Sequence, residues 1–309
     1  MKRIKTEQQN PRTRGLDTKS TLEIVRILNR EDAQVAKAVQ RVLPQVGRGV
    51  DAIVAGLRNG GRLFYVGAGT SGRLAVLDAS EIPPTYGLPP KTVRAFIAGG
   101  DKALRGAVEG AEDSAENGMK VLRRAKLSKR DVVVGIAASG STPFVLGAIE
   151  YAKRRGCVTI GVTSNPNSHL AHAVKIAITP QTGPEPISGS TRMKAGTSQK
   201  MVLNMLSTAS MVRLGRVYDN WMMHVAFTNQ KLRERGAKIL EAAAGVNASA
   251  AEHALRQSGH DLATAFVMAR TGEDASVARK RLKATGGNVR QAIHLHHGKG
   301  RGDSRHQGK

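Results

Sequence analysis

Two short stretches of this chain combine glycines with hydroxyl side chains in the manner of an anion-binding turn. The first is Gly67-Ala68-Gly69-Thr70-Ser71-Gly72-Arg73 and the second is Ala138-Ser139-Gly140-Ser141-Thr142-Pro143. Each follows an apolar run and leads into helical spacing, with Pro143 suited to a first helical position. Free N–H groups at a helix start, together with the helix dipole, favour a phosphate, and Thr70, Ser71, Ser139, Ser141 and Thr142 add hydroxyl donors. The first stretch also fits the letter of the dinucleotide fingerprint, which needs a carboxylate roughly 20 residues on to hold a ribose. The next apolar run ends instead in Ala98-Gly99-Gly100, so a phosphomonoester is the better ligand. The plain alternative is that Ser139 and Thr142 only cap a helix. A third stretch, residues 185–197, offers Glu185, Ser190 and Lys194 ahead of a long helix, or else is a capped helix start with a solvated face.

Two acidic clusters supply the groups for proton transfer: Asp78-Ala79-Ser80-Glu81-Ile82-Pro83-Pro84-Thr85 and Glu109-Gly110-Ala111-Glu112-Asp113-Ser114. The prolines are expected to end a helix near Ile82 and leave Glu81 at its negative end, where a carboxyl tends to keep its proton, as a general acid must. Glu109, Glu112 and Asp113 are expected to crowd one helical turn and repel one another. On spacing alone the preferred reading of both clusters is a solvated helix face. His169, His172, His224, His253 and His260 are scattered and read as surface or capping residues, and Cys157 as a small core residue. No metal-ligand constellation is visible in the sequence.

The elements that must position these groups follow from apolar patterning. Runs at 63–66, 93–97, 132–137, 158–162 and 176–178 each end in glycine or a hydroxyl residue, as buried parallel strands do. Helical stretches at 73–80, 104–111, 143–154 and 168–173 alternate with them. The fold class expected is α/β: a three-layer αβα doubly wound parallel sheet with N-terminal helices and a small C-terminal helical bundle. Ser20 to Glu23 has capping-box spacing, and further helices fit 32–43 and 45–57. Residues 193–243 read as helical almost throughout. The expected organisation is a flexible arm at 1–19, a catalytic domain at 20–243, a bundle of three short helical patterns at 244–293, and a basic disordered tail at 294–309.

Composition narrows the function class. The chain of 309 residues carries 48 Lys+Arg against 24 Asp+Glu, a formal charge of +24. The cations are spread along the chain and aromatics are only 3%, which argues against a nucleic-acid partner and for small anionic ligands. The longest apolar stretch, 132–138, is far short of the roughly 20 residues that span a bilayer. The polar start shows no secretory signal, and the lone Cys157 fits a reducing cytoplasm.

Taken together, residues 67–73, 78–85, 109–114, 139–143 and 188–197 resemble one family, the N-acetylmuramic acid 6-phosphate etherases, over about residues 21–293. The loops are shared by sugar isomerase (SIS) domains, including the glucokinase regulatory protein; the D-A-S-E-x-P-P-T and E-G-A-E-D motifs are more specific. The resemblance implies a cytoplasmic homodimer with its active site near the interface, working without metal or nucleotide cofactor. It implies release of D-lactate by syn elimination and hydration, with Glu81 as the acid and Glu112 as the base at C2. It further implies that the phosphosugar is held by Gly69, Thr70, Ser71, Ser139, Ser141, Thr142, Glu185, Ser190 and Lys194. Ile82 stands where the family often has cysteine, Ser141 where it often has arginine, and the basic tail is outside the pattern. A non-catalytic phosphosugar-binding regulator and an aldose–ketose phosphosugar isomerase are the alternatives on the same fold.

Overall fold

Strands form where β-branched and aromatic residues run without interruption, because a parallel sheet is covered on both faces. In the computed structural model, which describes residues 5–225, 227 and 230–297, five such runs form one parallel sheet. They are β1 (Leu63–Gly67), β2 (Val93–Ile97), β3 (Val132–Ile136), β4 (Val158–Val162) and β5 (Ile176–Ile178). Their order is β2-β1-β3-β4-β5. Leu63 stands level with both Val93 and Val132, so the chain moves outward on opposite sides of β1 and β3. That reversal opens a crevice beyond the carboxyl ends of these two strands, the place where doubly wound sheets bind ligands.

The chain divides into two compact units, one of residues up to 81 with 89–210 and one of 82–88 with 211 onward. The first holds α1 (Thr21–Gln40), α2 (Leu43–Arg58), α4 (Lys102–Arg105), α5 (Ala115–Arg124), α6 (Pro143–Arg154) and α7 (His169–Ala173). It also holds most of α3 (Gly69–Tyr86) and of α8 (Lys194–Arg213). Alternation along β1 sends Phe64 and Val66 into a core with Leu122, Phe144 and Ile149, while Tyr65 points to the other face and bonds Asp78 of α3. α5 and α6 cross so closely that a Cβ at Gly118 would lie 1.9 Å from the Phe144 carbonyl oxygen, and one at Gly147 2.1 Å from that of Ala115. That crossing fixes the loops that precede both helices.

Several expectations change here. α1 is one helix with the predicted Ser20/Glu23 capping box, so no new helix starts at Asp32. Residues 5–19 are no flexible arm: they form short 3-10 turns at Lys5–Glu7, Pro11–Thr13 and Leu16–Thr18, with Thr6, Asn10 and Thr13 buried. α3 runs through Pro83 and Pro84 to Tyr86. Burial of Ile82 and Tyr86, one turn apart, offsets the cost of the prolines. α4 stops at Arg105, leaving 106–114 irregular.

In the second unit, Gly215, at φ +77°, follows the end of α8. A hairpin of β6 (Val217–Tyr218) and β7 (Trp221–Met222) then interrupts the expected continuous helix, turning at Asp219 with φ +52°. α9 (Gln230–Ala244), α10 (Ala248–Gln257), α11 (Leu262–Thr271), α12 (Ala275–Ala284) and α13 (Val289–His297) follow. Ile239 and Leu240 of α9 share a core with Leu255, Phe266, Leu282 and Ile293, so the boundary falls near 210 rather than 243. Four helices rather than three follow α9, and His294 to His297 close α13 rather than open a tail; residues 298–309 lie outside the described ones.

His224 is half-buried and hydrogen-bonded within the second unit. Its Nε2 lies 2.9 Å from the Gly287 carbonyl oxygen and its Nδ1 3.5 Å from the Arg216 guanidinium. Burial first, then the Arg216 charge, lower its pKa from 6.5 to about 4. Because the folded value lies below the ordinary one, its stabilising contribution is complete above about pH 6.5 and is lost as pH falls toward 4. An acid titration followed by circular dichroism is expected to show a stability loss in that window, roughly 2 kcal/mol of it absent in His224→Gln.

Candidate active site

The two glycine–hydroxyl turns follow neighbouring strands of the sheet. α3 begins at Gly69, directly after β1, and α6 begins at Pro143, after β3, which pairs with β1. In the second turn, the Ser141 amide and hydroxyl both donate to Ser139 Oγ, at 3.2 and 3.0 Å. The Thr142 side chain makes no capping bond, so it does not serve as the helix cap that the plain alternative assigns to it. In the first turn, Thr70 is half-buried beside Gly196, where a Cβ would lie 3.3 Å from Thr70 Cγ2. Ser71 is buried and its hydroxyl donates 2.8 Å to Gln199 Oε1.

Glu112 joins these turns. The Phe144 N–H in the first turn of α6 donates 3.0 Å to the Glu112 carbonyl oxygen. Gly69, Arg73, Glu109, Glu112 and Asp113 line one cavity of about 260 Å³. Arg73 shapes it, donating from Nε to Leu104 O at 3.1 Å and from Nη2 to Gly106 O at 3.0 Å. The acidic residues therefore stand on a loop, with Gly110 at φ +67°, and not on one turn of helix as expected. Ser114 then caps α5 by accepting from the Asn117 amide at 3.2 Å.

Glu81 is exposed on α3, five residues before the helix ends. It therefore does not stand at the helix end, where the prolines led one to expect it. One turn earlier, Asp78 is buried and accepts from Tyr65 Oη at 3.0 Å, Asn204 Nδ2 at 2.8 Å and Ser207 Oγ at 3.0 Å. Burial still pushes its pKa up, despite these donors.

Glu185 and Lys194 are placed apart from the cavity. Glu185 is fully buried and accepts from the Lys194 and Ala195 amides at 2.8 and 2.9 Å, closing the start of α8. The Lys194 ammonium is fully buried and donates 2.7 Å to Glu31 Oε2. Ser190 is half-buried in the turn ahead of α8. Cys157 is a core residue, its thiol bonded to Ser128 O at 3.1 Å and its pKa pushed up to about 11, chiefly by burial. Arg73, Asp78 and Gln199 were missed as site-forming residues. The first two stand inside the quoted motifs, whereas Gln199 carries no sequence signal. Among the described residues no cluster could hold a metal ion, and no helix is long and apolar enough to cross a membrane.

Gly140 tests the second turn. Its φ is +70°, and a Cβ there would lie 2.2 Å from Ser168 Oγ and 2.7 Å from Thr163 Oγ1. Gly140→Ala is expected to cost about 2 kcal/mol of stability and to raise the KM for a phosphosugar about tenfold, read by thermal unfolding and initial rates.

Comparison with known proteins identifies the domain and the family. Residues 34–153 match the glucokinase regulatory protein N-terminal SIS domain, and residues 112–209 match the SIS domain. An N-acetylmuramic acid 6-phosphate etherase of Serratia proteamaculans is 51% identical over 93% of this chain and 97% of its own. One of Actinobacillus pleuropneumoniae is 49% identical over 93% and 95%. Among solved structures, a phosphoheptose isomerase from Francisella tularensis aligns over 63% of this chain and all of its own with TM-score 0.48 at 17% identity. At half-identity over nearly the full length of both partners, the relatives settle the assignment, and the chain belongs to the N-acetylmuramic acid 6-phosphate etherase family.

Proposed function

We propose that this protein cleaves the D-lactyl ether of N-acetylmuramic acid 6-phosphate, with Glu112 as the base and Glu81 as the acid. The observation that carries the site assignment is the shared cavity of Gly69 and Glu112, with the Glu112 backbone tied to the first turn of α6. Two helix starts then face the phosphate, and Thr70, Ser71, Ser139, Ser141 and Thr142 supply hydroxyls around it. In the open-chain sugar the C2 proton lies next to an aldehyde, which makes it acidic enough for a carboxylate. Glu112 takes that proton, the C3–O bond breaks, and Glu81 protonates the departing lactate oxygen. Water then adds at C3 of the unsaturated aldehyde, giving N-acetylglucosamine 6-phosphate. Elimination and hydration leave the oxidation state unchanged overall, so an acid and a base meet the chemical need. We place the protein in the cytoplasm, as a homodimer, in recycling of cell-wall amino sugars.

The test is a coupled D-lactate assay on purified protein with product analysis. Stoichiometric lactate and N-acetylglucosamine 6-phosphate are expected. A ketose 6-phosphate without lactate would identify an isomerase, and phosphosugar binding without turnover a regulator.

A further inference from the structure

Cations that the sequence spreads along the chain are gathered by the fold at one edge of the sheet. Four strands start level, Leu63 beside Val93 and Val132 and Val132 beside Val158, and β5 joins with Ile176 beside Ile160. The segments that enter these parallel strands therefore share the amino edge, opposite the carboxyl edge where Gly69 and Glu112 line their cavity. Residues 58–62, 123–131 and 153–157, with Lys91 and Lys175, hold 12 Lys and Arg and a single carboxylate, Asp131. Asp131 is buried and paired with Arg62 at 2.8 Å; the other 11 cations are exposed, and Arg154 pairs with the exposed Glu150 at 3.3 Å. The segments touch one another: Arg62 donates to Ala125 O and Lys126 O at 3.0 and 2.8 Å, and the Cys157 thiol to Ser128 O at 3.1 Å. Close to half of the formal charge of +24 thus falls on one edge.

The helix dipole accounts for part of this. α2, α5 and α6 end here, and Arg58, Arg123, Arg124, Lys153 and Arg154 suit their negative ends. It does not account for Lys91, Lys129, Arg130 and Lys175, which stand on the loops. So many like charges repel one another, a cost that a partner of opposite charge relieves. What the edge lacks decides which partner. Helix starts, with their free N–H groups, lie at the carboxyl edge, so the phosphates of a nucleic acid find no backbone donors here. Phe64 is buried, and Tyr151 is half-buried with the Arg123 guanidinium 6.0 Å from its ring centre, so bases have no surface to stack on. None of the exposed large apolar side chains lies on these segments, so a protein partner has no apolar centre to pack against. An anionic lipid surface needs neither, only mobile cations over a broad face. Four gaps of about 4.8 Å between strands make the edge about 19 Å wide. α2 packs on one side of the sheet at Val132, and α5 and α6 on the other with Phe64 and Val133, so the cations spread in two dimensions and not along one stripe.

We propose that the amino edge of the sheet docks this protein reversibly on an anionic phospholipid surface, leaving the phosphate turns at the opposite edge open to solution. Docking of this kind rests on charge alone, so it is independent of the reaction at the other edge and weakens with salt.

Vesicle sedimentation tests it. The purified full chain is spun with phosphatidylcholine vesicles, with or without phosphatidylglycerol as about a third of the lipid, at about 0.15 M salt. Binding is expected only where phosphatidylglycerol is present, and is expected to be lost near about 1 M salt. Lys129→Gln/Arg130→Gln/Lys153→Gln changes three exposed side chains of this edge. Each cation near such a surface strengthens binding about fivefold, so this variant is expected to bind about 100-fold more weakly. Arg270→Gln/Lys280→Gln/Lys283→Gln removes the same charge from exposed positions of the second unit and is expected to bind like the parent. Both variants are expected to melt with the parent. Failure of the parent to sediment with the anionic vesicles overturns the proposal. Equal weakening in the two variants also overturns it, since net charge and not this edge would be the cause. So does release from the vesicles by duplex DNA or RNA at equal phosphate concentration, which would make a nucleic acid the ligand.

Discussion

Replacing Glu81 by alanine is expected to abolish lactate release while the protein still exchanges the C2 proton of N-acetylmuramic acid 6-phosphate with deuterated water. Replacing Glu112 is expected to abolish both. The difference follows from the order of bond changes. Abstraction at C2 needs only the base and gives an enolate that can take a deuteron back. Departure of an alkoxide from C3 needs a proton on its oxygen, since a free lactate alkoxide is a poor leaving group. Removing a positioned acid or base costs about 10² to 10⁴ in rate, so either variant should fall to the background of the coupled assay. Exchange is read by mass spectrometry of recovered substrate. Retained exchange in Glu112→Ala, or lactate from Glu81→Ala at the parental rate, would sink the assignment. Both residues are exposed and bear no fold-forming contact among the hydrogen bonds of their side chains, so the variants are expected to melt with the parent.

Much of this arrangement is legible in the sequence because the site is built from local grammar. Strands β2, β4 and β5 begin and end where their apolar runs do, and α6 begins at Pro143. The capping box at Ser20 also forms as its spacing implies. What escapes is whatever depends on partners far along the chain. Pro83 and Pro84 signal a stop, but burial of Ile82 and Tyr86 outweighs them. Residues 106–114 have helical spacing, but that loop closes on Phe144 and Arg73 rather than on itself. Residues 1–19 read as a flexible arm because their charges show no period, and only the folded chain brings Arg12 and Lys194 together on Glu31.

That last grouping carries the second large expectation: Glu31→Leu should cost about 3 to 5 kcal/mol, because it strands a buried cation. Glu31, 3% exposed on α1, accepts from Asn10 Nδ2 at 2.8 Å, from Arg12 through Nε and through Nη2 at 2.9 Å, and from Lys194 Nζ at 2.7 Å. The Arg12 bond is the main cause that holds its pKa down at about 2, with Lys194 and Asn10 adding to it against burial. Asn10 also donates 3.2 Å to Pro184 O, and Thr13 Oγ1 donates 2.8 Å to Pro186 O, so the first residues are laced along the loop that leads to α8. Lys194, with no exposure of its own, has Glu31 as its ion-pair partner. Arg12 is 60% exposed and can turn to water when Glu31 is lost, but Lys194 cannot. The double variant Glu31→Leu/Lys194→Met removes both buried charges and is expected to recover most of the loss, since apolar replacement of a whole buried pair is often neutral. Denaturant unfolding of the two single variants and the double variant closes the cycle, and additive losses would show that the pair is not coupled. Because Gln199 and Gly196 of α8 touch Ser71 and Thr70, the same single variant should also bind phosphosugar less tightly, which a loss confined to the N-terminal turns would not produce.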